Sequence, residues 1–131
     1  MEKQINPNEL NAEAFIRATE MLRVMFPHFS DGWIKLCQDR ILDVEYIGVE
    51  RGAEVFHVHR NPKFDGESKS EKGKGWKYRK VLLRNNPRAS WCSCFYGPWS
   101  RKRQRQLCSH IGACFLWKFY FQVLDKLEQR Q

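Results

Sequence analysis

The sequence predicts an α+β domain: N-terminal helices, an antiparallel meander of about four strands, and a long C-terminal helix. Three observations carry this. Apolar residues recur at helical spacing near the start, the period switches to two in the middle, and a proline-free run of good helix formers closes the chain. With 131 residues, 42% of them hydrophobic, the chain has the size of one domain with a modest core. It is read as a single unit, 1–131, whose residues 1–40 form a helical part.

Leu10, Ala14, Ala18, Met21, Leu22 and Met25 recur at spacings of three and four, with Arg17, Glu20 and Arg23 between them. This predicts an amphipathic helix over 8–26, ended by Pro27. Ser30 caps a second, short helix through Trp33, Ile34, Leu36 and Cys37. From there the period is two. Leu42, Val44, Tyr46 and Gly48 alternate with Asp43, Glu45 and Ile47, and alternation resumes over 55–59 after an Arg51-Gly52 turn, as in a hairpin. Residues 61–75, rich in Gly, Ser and charge, read as a loop. A third strand is expected over 77–84, a turn at Asn85-Asn86-Pro87, a short fourth strand at Ser90-Trp91-Cys92, and a helix over 107–128. In that helix Ile111, Phe115, Leu116, Trp117, Phe119, Tyr120, Phe121, Val123 and Leu124 surround nearly the whole circumference. Such a helix must be buried on most sides, by the domain's own elements or by a partner.

The formal charge of +8 is divided unevenly: residues 1–54 carry six basic and ten acidic side chains, and 55–131 carry seventeen and five. The second half is where a polyanion would sit. No window approaches the roughly 20 apolar residues of a membrane helix, and the opening MEKQINPNEL lacks the apolar core of a secretory signal. The expectation is an intracellular protein of the cytoplasm, nucleus or nucleoid. In a reducing compartment its five cysteines are metal ligands or core residues rather than a disulfide framework.

Cys92-Ser93-Cys94, thirteen intervening residues, then Cys108-Ser109-His110 form the strongest chemical signal. Zinc takes four soft or borderline ligands in a tetrahedron, and two short pairs joined by a loop supply them. The expected set is Cys92, Cys94, Cys108 and His110 around one structural Zn²⁺, with the positive end of the following helix favouring the Cys108 thiolate. Cys37 and Cys114 read as core residues, and His57 and His59 as one face of a strand rather than a second metal site.

WCSC followed by CSHIGACFL resembles the SWIM zinc finger, whose pattern is C-x-C, a variable spacer and C-x-H, preceded by strands and followed by an apolar helix. The resemblance covers 42–125 and matches all four ligand positions. It implies a zinc-stabilised binding module of the kind found in chromatin-remodelling ATPases, transposases, kinase-type signalling proteins and small recombination accessory proteins that pair with RecA-like recombinase paralogues. A small stand-alone member, acting in recombination or repair, is the expectation. The unusually basic spacer, Arg101-Lys102-Arg103-Gln104-Arg105, departs from the family's pattern and leaves its usual partner in doubt.

That spacer and the third strand supply the nucleic-acid candidates: Lys74, Lys77, Arg79, Lys80, Arg84, Arg101, Lys102, Arg103 and Arg105 for phosphates. Trp76, Tyr78, Tyr96 and Trp99 are candidates for stacking on bases. The reading is an accessory protein that binds nucleic acid, DNA rather than RNA, with no membrane role. The alternative is a protein adaptor, with no direct DNA contact, that docks on a recombinase paralogue or forms a homo-oligomer. An enzyme is not expected. Asp43 and Glu45 share a predicted strand face and could hold Mg²⁺ with a third carboxylate, but the Glu67-Ser68-Lys69 string lies in the Gly/Ser-rich loop, no G-x-x-x-x-G-K loop exists, and a four-ligand zinc has no open position.

Overall fold

The structure, a computed structural model, describes residues 4–65, 77–96 and 107–129. Helix α1 (Ala12–Met25) begins later than residue 8 because two asparagines intervene: Asn6 caps a 3-10 turn at Pro7–Glu9, and the Asn11 side-chain oxygen accepts the Ala14 N–H. Helix α2 (Asp31–Arg40) starts where Ser30 Oγ accepts the Trp33 N–H at 3.1 Å. The sheet comprises β1 (Val44–Glu50), β2 (Ala53–His59), β3 (Tyr78–Leu83) and β4 (Trp91–Cys92), antiparallel in that order. Arg51 and Gly52 both take positive φ, 49° and 80°, the two-residue turn whose twist matches a hairpin. The expected loop after β2 opens with one helical turn, α3 (Pro62–Asp65). The chain's last described element is α4 (Ser109–Gln129).

Alternation on the sheet directs Phe56, Val58, Val81 and Leu83 to one buried face, which packs on α4. Trp117 of α4 meets Phe56 at 5.3 Å and stacks on Tyr46 at 5.9 Å. Helices α1 and α2 pack on other sides of α4. Every residue from Ser109 to Trp117 is consequently buried, so the domain's own elements cover the first half of this all-round apolar helix. Each fully buried aliphatic side chain here, such as Ile111 or Leu116, contributes about 1.5–3 kcal/mol. No helix among the described residues is long and apolar enough to cross a membrane.

Candidate metal centre

Two separate pieces of chain deliver the four candidate ligands. Cys92 ends β4 opposite Val81, on the buried face of the sheet. A 3-10 turn, Ser93–Tyr96, follows and holds Cys94 close to Cys92. Ser93 Oγ accepts the Lys80 N–H at 3.0 Å, which ties this turn to β3. The second pair lies at the start of α4, where the Cys108 carbonyl accepts the Gly112 N–H at 3.2 Å. The three sulfurs and a ring nitrogen of His110 lie within 4.8 Å of one another, and all four residues are buried. A tetrahedral ion with metal–sulfur distances of about 2.3 Å needs ligand–ligand edges of about 3.8 Å. One ion can therefore be reached by all four atoms.

The three thiols of the cluster are coupled through hydrogen bonds and share their protons unequally. Hydrogen bonds from Cys108 and Cys92, helped by His110, hold the Cys94 thiol far below the usual range. Cys92, whose hydrogen bonds to Cys108 and Cys94 favour its protonated form and which is buried besides, is driven far up. Cys108 is pushed up to about 12, chiefly by burial. The Ile111 N–H at the helix start does pull it down, as the sequence suggests, but desolvation outweighs that one hydrogen bond. A divalent cation would take the place of the shared thiol protons, so metal binding releases them.

Helix α2 supports the second pair through one stripe of residues. Trp33 Nε1 donates to the Leu107 carbonyl at 3.0 Å. Cys37 lies against Gly112, where an added Cβ would come within 2.4 Å of its sulfur. Arg40 Nε donates to Ser109 Oγ, between the two ligands, at 3.1 Å. Sequence reasoning missed Trp33 and Arg40; the visible signal was their spacing with Cys37, at 33, 37 and 40, on one face of a helix. Cys37 and Cys114 are fully buried in the core and lie outside the four-residue cluster, with burial raising both thiols well above normal.

No family model matches the chain, and neither a curated protein nor a solved structure matches it.

The nucleic-acid candidates divide. Lys77 and Arg84 are exposed at either end of β3. Arg79 and Lys80 do not share a surface: the period of two puts Arg79 on the α4 side with Val81 and Leu83, where its Nε is sealed from solvent. Lys80 faces the other way and pairs with Glu50 at 3.0 Å. Tyr78 is 44% exposed, but one face of its ring is stacked on His57 at 3.9 Å. Lys74, Trp76, Trp99, Arg101, Lys102, Arg103, Arg105 and the side chain of Tyr96 lie outside the described residues.

The Asp43–Glu45 pair does not form the expected strand face. Asp43 sits in a 3-10 turn, Ile41–Asp43, ahead of β1 and accepts the Asn61 Nδ2–H at 3.2 Å. Glu45, on β1, pairs with His59 at 2.9 Å, a partnership the sequence reading did not anticipate.

Proposed function

We propose that Cys92, Cys94, Cys108 and His110 bind one structural Zn²⁺, and that the chain is a SWIM-type, zinc-stabilised accessory module that binds nucleic acid, DNA in preference to RNA. The observation that carries the metal is the convergence of four buried ligand atoms within 4.8 Å. Three sulfurs and an imidazole suit zinc rather than Mg²⁺ or Ca²⁺, and four protein ligands leave no open position for a substrate. The role is thus to close a loop. The order of strand, C-x-C turn, C-x-H and buried helix supports the SWIM reading.

Support for the polyanion comes from charge. Residues 55–131 hold seventeen basic side chains against five acidic, and four of the basic ones fall at 101–105, between the ligands Cys94 and Cys108. Chain connectivity tethers that run to the metal centre at both ends. The test is anisotropy with labelled single- and double-stranded DNA and RNA across a salt series. Replacing Arg101, Lys102, Arg103 and Arg105 with Gln should leave the fold intact and make the slope of log K against log salt shallower by about 3 to 4. An unchanged slope removes this loop from the contact.

One observation favours a second reading, the adaptor. Val24 on α1, 80% exposed, lines a groove with Met21, Met25, Phe119, Val123 and Leu127, an apolar surface that a protein partner such as a RecA-like recombinase paralogue or a second copy would cover. A zinc-loaded protein that ignores oligonucleotides and self-associates would support it.

A further inference from the structure

Arg40 is the only buried Lys, Arg, Asp or Glu among the described residues, at 7% exposure. It stands at the end of α2, and its Nε–H donates at 3.1 Å to Ser109, itself 7% exposed. Ser109 is the single residue between Cys108 and His110 and the first residue of α4. A rotation of that residue would carry both ligands with it. On the other flank Trp33 holds the Leu107 carbonyl at 3.0 Å, the residue immediately before Cys108. The chain from 107 to 109 is therefore gripped from α2 on both sides of one ligand, by contacts that span 74 and 69 positions of sequence.

We infer that Arg40 is a positioning residue for the metal centre: through Ser109 it fixes the orientation of the Cys108 and His110 pair, and its charge favours the loaded site. The sign of that charge fits. Three thiolates and a neutral imidazole around a divalent ion leave one net negative charge in a buried place, and a guanidinium nearby stabilises it. Groups that orient ligands from outside a metal's own coordination set commonly alter metal affinity by 10- to 100-fold. Helix α2 is on this account part of the site's architecture rather than only a lid on the core.

The inference rests on the zinc reading, and the experiment separates the two. Wild type, Arg40→Met and Ser109→Ala are purified with metal, and affinity is measured by competition with a chromophoric chelator, alongside the visible spectrum of the Co²⁺-substituted proteins. Ser109→Ala removes only the acceptor and keeps the guanidinium, so it decides whether the contact orients the pair even if Arg40→Met does not fold, and Arg40→Met tests the charge besides. The expected result is affinity at least tenfold weaker in each folded variant, with a changed Co²⁺ spectrum. A purely structural role would lower thermal stability while leaving affinity and spectrum as in wild type, and that result overturns the inference. A wild-type protein that binds no metal sinks the zinc reading instead.

Discussion

Gly112→Ala sets two opposing effects against each other at the point where α2 meets the end of α4 beside Cys108 and His110. In a helix interior, alanine is favoured over glycine by about 0.8–1 kcal/mol, so propensity alone predicts a more stable protein. Packing opposes this. A Cβ at 112 would lie 2.4 Å from Cys37 Sγ and 2.7 Å from two carbons of the Trp33 ring, distances at which something must move. The indole is poorly placed to yield: its N–H is bonded to Leu107, and its ring lies 4.3 Å from Phe29 and 5.2 Å from Phe26. Overpacking of a constrained site costs about 1–3 kcal/mol, and two hard contacts place this one at the upper end. After the propensity gain is offset, the net loss is about 2 kcal/mol. At about 2.1 cal/mol/K per residue, a chain of 131 residues loses about 4 °C in Tm per kcal/mol, so Tm should fall by about 7 °C. Thermal and urea unfolding of the metal-loaded protein measure it. A variant as stable as wild type, or more so, would refute the close packing of α2 on α4.

Two further predictions follow from buried polar atoms. Tyr120, 2% exposed, accepts the backbone N–H of the cap residue Asn11 at 2.9 Å; Tyr120→Phe should cost about 1–2 kcal/mol in urea unfolding, and a loss below a few tenths would show that water replaces the bond. Burial holds the Cys114 thiol protonated well above its ordinary 9.0, so the unfolded chain releases that proton first and stability is lost as pH rises above about 9. Each such thiol steepens the alkaline decline by about 1.4 kcal/mol per pH unit, and Cys114→Ala should flatten the slope by that amount whatever it does to stability at neutral pH; an unchanged slope contradicts a neutral buried thiol.

Local chemistry was legible in the sequence, and long-range contact was not. Ser30, the Arg51-Gly52 turn and the period-two runs located α2 and the hairpin, because caps and turns act over two to four residues. The clustering of Cys92, Cys94, Cys108 and His110 was legible for the same reason, as two short pairs. The start of α1 was misplaced because Asn6 and Asn11 compete with helix formation before residue 12. The support given by Trp33 and Arg40 was invisible, since their partners lie at 107 and 109. Naming Arg79 beside Lys80 as phosphate candidates took no account of the alternation of a strand, which sends the two to opposite faces of β3.

Structural zinc is tested first by the metal content of the purified protein, by native mass spectrometry and elemental analysis, together with unfolding before and after chelation. Structural zinc sites contribute about 10–16 kcal/mol, as much as the whole stability of a domain this size. One zinc per chain is expected, lost on substituting Cys108→Ser, with collapse of cooperative unfolding once the metal is removed. A metal-free protein that unfolds cooperatively at the same temperature with and without chelator would contradict a structural zinc.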